Sequence, residues 1–167
     1  MRKELGMIRL TITSLILVLL CSLTAFAGQR SAGFHGIGPR VGFTIDPDQV
    51  HFGGHIDFGD LAPGVMMLAN VEIGVGDDLT TVAPSFELDY RFREDWGAWT
   101  PYLGGGIGPI FYSHDGGNSS TDFAGYLQFG VGKGSAGNQS GHFFIEGKLG
   151  LVDAPDFKAT VGWTFGK

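Results

Sequence analysis

The stretch V-A-P-S-F-E-L-D-Y-R-F-R, from Val82 to Arg93, decides the fold. Its even-numbered positions are Val82, Pro84, Phe86, Leu88, Tyr90 and Phe92, and its odd-numbered positions are Ala83, Ser85, Glu87, Asp89, Arg91 and Arg93. Successive side chains of a β-strand point to opposite faces, so this segment has one apolar face and one charged face. A helix would mix the two sets around its circumference. At about 12 residues the segment exceeds the usual soluble strand and approaches the length of a tilted membrane-spanning strand.

The same alternation recurs along the chain and predicts eight strands. Five of them cover about residues 34–45, 49–58, 65–75, 82–93 and 99–112, and three more are centred on 123–131, 143–151 and 157–165. Short segments rich in Gly, Asp, Asn and Pro join them, as expected of turns. An all-β, eight-stranded antiparallel up-and-down barrel follows, since closure removes exposed strand edges and an even number lets the first and last strands pair.

The first 27 residues have the pattern of a secretory signal peptide rather than of a fold. A basic start is followed by an apolar run and by Ala25-Phe26-Ala27, a small-x-small cleavage site. We expect cleavage before Gly28, which leaves residues 28–167 as one barrel domain. The alternatives are a retained membrane anchor, for which the apolar run is short, and a lipoprotein at Cys21, where Leu20 occupies a position that needs a small residue.

Charge and cysteine content exclude other classes of protein. Loss of the leader removes three positive charges and one negative charge, so the net charge falls from −6 to −8. An acidic chain without a basic cluster argues against nucleic-acid binding. The single cysteine lies in the leader, so no disulfide supports the mature domain despite its export signal.

Alternation alone leaves open which face points outward. A secreted soluble lipocalin-like barrel would turn the apolar face inward around an apolar ligand, whereas a membrane barrel turns it toward lipid. Many glycines on the polar face suit a crowded interior, charges of both signs can pair there, and most large aromatic residues cluster toward one end, as in an interfacial girdle. These features favour the transmembrane barrel. The expected lipid-facing and girdle aromatics are Phe58, Phe92, Trp99, Phe111, Phe143, Trp163 and Phe165.

The glycine- and aromatic-rich segment P-Y-L-G-G-G-I-G-P-I-F-Y (Pro101 to Tyr112), the leader and the alternating aromatic C-terminus together resemble a known family. It is the family of small eight-stranded outer-membrane barrels of Gram-negative bacteria, of the OmpA, OmpW and opacity-protein kind. The resemblance implies localisation in the outer membrane. Its implied partners are outer-membrane lipid, lipopolysaccharide and the barrel-assembly machinery. Two features depart from the family: Gly166 and Lys167 follow the last aromatic residue, and the expected outer loops are short.

Polar residues at inward positions form a candidate interior network. Its expected members are Arg40, His55, Asn70, Glu72, Glu87, Asp89, Arg91, Gln128, Glu146 and Lys148. Unpaired charges there would be costly, so they should pair. Interior ion pairs that close the lumen are known in OmpA-type barrels, and this set is similar. We expect Arg40 and Lys148 to bridge the three glutamates as a plug or narrow gate.

No metal site, cofactor or catalytic group is expected. His51 and His55 share a face, but four residues of strand separate them by roughly 13 Å, too far to chelate one ion. Ser113-His114-Asp115 contains the residue types of a hydrolase, and some eight-stranded outer-membrane barrels are enzymes that modify lipid A. Consecutive residues, however, do not generally adopt the geometry of a catalytic triad. We therefore expect a non-enzymatic structural barrel or narrow pore, with a lipid A deacylase or acyltransferase as the alternative.

Overall fold

A computed structural model describes residues 33–92, 96–134 and 141–166 of the chain. The expected leader, with its cleavage position before Gly28 and Cys21, lies outside these residues, as do Arg93 and Lys167. The strands are β1 (Gly36–Ile45), β2 (Gln49–Ala62), β3 (Val65–Gly76), β4 (Leu79–Arg91), β5 (Thr100–His114), β6 (Ser119–Gly134), β7 (Gly141–Val152) and β8 (Phe157–Gly166). The described part of the chain has no helix long and apolar enough to cross a membrane, a finding that concerns helices only.

The eight strands close into one barrel in sequence order. Each strand pairs antiparallel with the next, and β1 closes the barrel by pairing antiparallel with β8, where Val41 lies opposite Val161. The expected all-antiparallel, eight-stranded topology is confirmed. We call the end where Gly36 pairs with Gly166 the terminal rim, and the end where Ile45 pairs with Phe157 the hairpin rim.

The apolar face points outward, which confirms the predicted orientation. Phe86 and Ile145 are 43% and 45% exposed, whereas their chain neighbours Glu87 and Glu146 are 0% and 4% exposed. A similar alternation of more exposed and more buried positions runs along β1, β2, β3 and β8. This arrangement is the reverse of the one that a soluble carrier of apolar ligands requires.

Several strands are longer than the sequence predicts. β2 continues through Gly59, where we expected a turn, because register shifts after Asp57 absorb extra residues as a bulge. Gly59 has a φ of +76° and its amide donates to the Asp57 carboxylate over 2.6 Å, so a residue without Cβ suits the bend. β5 and β6 likewise extend into the expected polar loop, and Ser113 pairs with Ser119. Only residues 115–118 lie between these two strands.

Three connections at the hairpin rim contain an aspartate in the left-handed backbone region. Asp46, Asp78 and Asp153 have φ angles of 50°, 58° and 42° and follow β1, β3 and β7. Aspartate tolerates this region better than most residues do, because its short side chain bonds to nearby backbone. These residues explain how the strands reverse within short connections at this rim.

Candidate functional site

Glycines inside the barrel let a side chain on one strand reach across the next strand to the strand beyond it. Gly130 of β6 pairs with Tyr102 of β5 on one side and with Glu146 of β7 on the other. The Tyr102 ring lies over this glycine, where an added Cβ would come within 2.4 Å of the phenol oxygen. The Tyr102 hydroxyl thereby donates a hydrogen bond of 3.0 Å to Glu146 Oε2.

The same arrangement positions Asp89. Gly104 lies between Asp89 and Gln128 in the strand pairing, and a Cβ on it would lie 2.0 Å from Asp89 Oδ1. The carboxylate therefore extends over Gly104 and accepts a hydrogen bond from the Gln128 side-chain amide. Interior glycines thus do more than reduce crowding, because they create the paths by which polar side chains meet.

Five charged residues form the centre of the interior, and we call them the central network: Arg40, Glu72, Glu87, Glu146 and Lys148. The Arg40 guanidinium lies 2.9 Å from Glu146, 3.4 Å from Glu72 and 3.7 Å from Glu87. Lys148 Nζ lies 2.5 Å from Glu87 and 3.5 Å from each of the other two glutamates. The structure thus brings together all five residues for which we expected ion pairs. Four of these six contacts cross the lumen from β1 and β7 to β3 and β4, whereas Arg40–Glu146 joins β1 to β7 and Lys148–Glu146 lies within β7.

The five residues of the central network are buried, so the free energy of the network includes the cost of removing each charge from water. Taking a charge out of water costs several kcal/mol per ion, and close, well-bonded partners offset that penalty. Each glutamate here contacts both Arg40 and Lys148. Removing one member of the network would therefore leave a buried charge with fewer partners of opposite sign.

Lys158 is a further member that the sequence analysis did not name. Its ammonium group forms a short ion pair with Glu72 Oε2, and the residue is buried. The alternation of β8 places Lys158 on the polar face with Thr160 and Gly162, which was an available signal. Lys158 lies near the end of β8, and alternation does not show how far a lysine side chain extends along the lumen. Its ion pair with Glu72 was therefore not predicted.

The other residues of the expected interior network lie outside the central network. His55 Nε2 lies 2.8 Å from the Thr164 hydroxyl, and Asn70 Oδ1 accepts a hydrogen bond of 2.9 Å from Ser85. Arg91 requires a correction: it lies at the terminal rim, with its side chain 43% exposed, and pairs with Asp60 rather than with the central network. The reason is that Arg91 is the last residue of β4.

Four of the expected girdle aromatics form a row at the terminal rim. Ring centroids are separated by 6.2 Å for Trp99 and Phe143, 6.4 Å for Phe143 and Trp163, and 6.2 Å for Trp163 and Phe165. Phe111 also faces outward, but it lies opposite Val82 and Thr121, nearer the hairpin rim.

Phe58 on β2 and Phe92, which follows β4, are half-buried near the terminal rim. The backbone amide of Phe92 donates to the Pro101 carbonyl over 3.0 Å. The terminal rim therefore has an aromatic band to which all the expected girdle residues except Phe111 contribute.

A chamber occupies the half of the lumen next to the terminal rim. It has a volume of about 230 Å³, and we call it the terminal chamber. Asp89, Glu146 and Arg40 line it on the side of the central network, while its other lining residues include Met66, Leu68, Tyr102, Arg91, His142 and Phe144. Toward the hairpin rim the interior instead holds a packed apolar cluster of Ala83, Ile110, Ala124 and Tyr126.

The residues of hydrolase type lie outside the barrel interior. Ser113, His114 and Asp115 are exposed at the hairpin rim. Backbone bonds close this loop: the His114 amide donates to the Asn118 carbonyl over 2.9 Å, and the Asp115 amide donates to the Asp78 carbonyl over 3.2 Å. His51, buried in the interior, contacts the hydroxyls of Thr44 and Thr160 at 2.9 and 3.0 Å.

Solved structures share this fold, whereas no family model and no curated protein matches the sequence. The chain is similar to Neisserial surface protein A, with 10% identity and a TM-score of 0.63 over 80% of this chain and 96% of that one. It is also similar to the N-terminal β-barrel domain of Pseudomonas aeruginosa OprF, with 14% identity and a TM-score of 0.58 over 81% and 99%. At such identities the likeness concerns the fold, and the expected resemblance to small outer-membrane barrels is confirmed at that level.

Proposed function

We propose that this protein is an integral outer-membrane β-barrel without enzymatic activity, a structural barrel or very narrow pore whose lumen is closed by buried ion pairs. The observation that carries the proposal is the orientation of the barrel wall, with apolar side chains outside and paired charges inside. A membrane is the environment in which this orientation is favourable, because lipid covers the apolar surface.

The outer wall is too apolar for a barrel surrounded by water. Val50, Phe52 and Ile107 are each more than half exposed, and similar residues cover every strand from β1 to β8. Soluble monomers rarely expose apolar patches larger than a few hundred Å². The strands of 10–16 residues also reach the length needed for a tilted crossing of the hydrocarbon layer.

Closure of the barrel meets a further requirement of a lipid environment. Backbone N–H and C=O groups in hydrocarbon must be bonded within the protein, and a closed barrel bonds them from strand to strand without an open edge. Cleavage of the leader before Gly28, insertion by the barrel-assembly machinery, and contact with outer-membrane lipid and lipopolysaccharide complete the proposal. The terminal rim then faces the periplasm.

The filled lumen supports a structural role or a very narrow pore over a wide channel. Eight-stranded barrels are just wide enough for side chains to fill. Here the central network and the apolar cluster around Ile110 both occupy the axis. A solute would have to displace buried ion pairs, each of which is expensive to break.

Fractionation combined with heat modifiability tests the proposal. The full chain, expressed in a Gram-negative host, should appear in the outer-membrane fraction, with the mass expected for a protein that begins at Gly28. Unheated samples should migrate on a detergent gel at a different position from boiled ones, since the closed barrel resists detergent. Recovery from the soluble periplasm would overturn the membrane assignment, and retention of residues 1–27 would overturn the cleavage.

A further inference from the structure

The outer wall of the barrel contains a groove over β5 to β8, and we call it the wall groove. It has a volume of about 780 Å³. Tyr102 and Glu146 border it, but their side chains are buried inside the barrel, where they bond to each other. The surface that the groove presents is therefore apolar. Its outward-facing lining residues include Leu103, Phe129, Val131, Ile145, Gly147 and Ala159.

Two small residues make the wall groove deep. Gly147 on β7 pairs with Ala159 on β8, and both lie between larger outward-facing residues of their strands. The Phe129 ring lies over Gly147, where an added Cβ would come within 2.7 Å of the ring. Because one of the paired residues has no side chain and the other has only a methyl group, the wall is recessed between its larger neighbours.

The length of the wall groove suits a lipid chain in one leaflet. Val131 pairs with Ile145 toward the terminal rim, and Phe157, toward the hairpin rim, pairs with Leu149. Four residues of β7 separate Ile145 from Leu149, a distance of about 13 Å along the strand. One leaflet is half of a hydrocarbon layer about 30 Å thick. An acyl chain that descends from the terminal rim can therefore follow the groove.

A lysine lies where the wall groove approaches the aromatic band. Lys133 follows Val131 by two residues, so it is on the same outer face of β6, and it pairs with Phe143 of the aromatic row. Its ammonium group lies 5.7 Å from the centroid of the Trp99 ring. Trp99 pairs with Trp96, which lines the groove. Lys133 is exposed and takes part in none of the ion pairs between described residues. Its charge is therefore available to an anionic group at this depth.

The charge of the opposite rim is unfavourable for an anionic group. The four connections at the hairpin rim, residues 46–48, 77–78, 115–118 and 153–156, contain no lysine or arginine. Like charges repel, so a negative head group is favoured beside Lys133 and disfavoured at the hairpin rim. The acidic residues of these connections are Asp46, Asp48, Asp77, Asp78, Asp115, Asp153 and Asp156.

We propose that the wall groove binds one phospholipid of net negative charge from the leaflet at the terminal rim. An acyl chain lies over Gly147 and Ala159, and the phosphate lies beside Lys133. Apolar contact holds the chain, and attraction to the lysine selects the head group. This inference rests on the proposed function, which places the outer wall in lipid and the terminal rim toward the periplasm. It adds the position of the lipid, its leaflet and the charge of its head group.

Native mass spectrometry of the wild-type barrel released from detergent tests the head-group preference. Phosphatidylglycerol and phosphatidylethanolamine with the same acyl chains are added in equal amounts. Complexes with one phosphatidylglycerol should be about fivefold more abundant, the factor expected from one lysine near an anionic head group. Lys133→Gln should abolish this preference. Arg91→Gln, which also removes a positive charge at the terminal rim, should keep it. Equal binding of the two lipids by the wild type would overturn the proposal.

Filling the wall groove tests the position of the chain. Ala159→Leu places a larger side chain in the recess, so the lipid-bound fraction of the barrel should fall. Ala69→Leu is the matched control, because Ala69 is also half-buried and lies on the outer face of β3, away from the wall groove. Heat modifiability shows that each variant has folded. An unchanged lipid-bound fraction in folded Ala159→Leu would show that the chain lies elsewhere and would contradict the assignment. The comparison of the two lipids needs only the wild type, so it stands even when a variant does not fold.

The rival occupant of the wall groove is a second copy of the barrel. A lipid-free dimer that Ala159→Leu converts to monomers would assign the groove to that contact and refute the lipid site. Failure of this inference differs from failure of the proposed function. A heat-modifiable protein of the outer-membrane fraction that binds the two lipids equally refutes only the lipid site, whereas recovery from the soluble periplasm refutes the membrane assignment itself.

Discussion

The ammonium group of Lys148 on β7 lies 2.5 Å from Glu87 Oε1 on β4, so one ion pair joins opposite walls of the barrel. Both residues are fully buried. Breaking this contact would leave a buried charge with fewer partners, which is costly. The two side chains also lie across the lumen.

Removing one partner of this pair should destabilise the barrel more than removing both. Glu87→Gln or Lys148→Met alone leaves an opposite charge with fewer partners, and the expected loss is about 3–5 kcal/mol. The double variant should lose less than the sum of the two. Urea unfolding from lipid vesicles measures all three, and additive losses would show that the pair is not coupled.

Gly130 should not tolerate a side chain. In Gly130→Ala the new Cβ would lie 2.4 Å from the Tyr102 phenol oxygen and 2.5 Å from the Ile145 carbonyl oxygen, so the ring or the strand must shift. Overpacking of this kind costs about 1–3 kcal/mol. Gly116→Ala is the matched control, since an added Cβ there has no neighbour within 4 Å in the described part of the chain. Equal stabilities for the two variants, measured by urea unfolding, would contradict the role given to Gly130.

Weakening the central network should increase conductance. Glu146→Gln removes a charge that lies 2.9 Å from Arg40 and 3.5 Å from Lys148, and it leaves both cations freer to move aside. Planar bilayers should show low conductance for the wild type and more frequent or larger openings for this variant. Asp122→Asn makes the same carboxylate-to-amide change at an exposed position of β6 near the hairpin rim, away from the central network, and should match the wild type. Unchanged conductance in Glu146→Gln would mean that the network does not gate the lumen.

Alternation along the strands was sufficient to predict that side chains from Arg40 on β1 to Lys148 on β7 face the lumen. It was also sufficient to expect that Arg40 and Lys148 lie near three glutamates, because charges of opposite sign at similar depth in a narrow lumen must meet. The bend at Gly59 was not predictable in this way. A bulge changes the pairing between two strands, and the pattern of polar and apolar residues along one strand does not show that pairing.

The contacts in which a side chain extends over a glycine also could not be predicted from the sequence. That Asp89 meets Gln128 over Gly104 depends on the register of three strands, which a single sequence does not specify. The ion pair of Lys158 with Glu72 depends on side-chain length across the lumen, and the position of Arg91 at the rim depends on where β4 ends. Each is a property of the closed barrel rather than of any one strand.

The central claim is that the apolar wall faces lipid, and an arginine scan by depth tests it most directly. Ile107 is 55% exposed in the middle of β5, and Leu151 is 67% exposed near the end of β7 at the hairpin rim. For a membrane barrel unfolded from lipid vesicles, Ile107→Arg should cost about 2–4 kcal/mol and Leu151→Arg about 0–1 kcal/mol. If both substitutions were tolerated equally, with neither lowering the free energy of unfolding, the outer wall would face water and the account would be wrong.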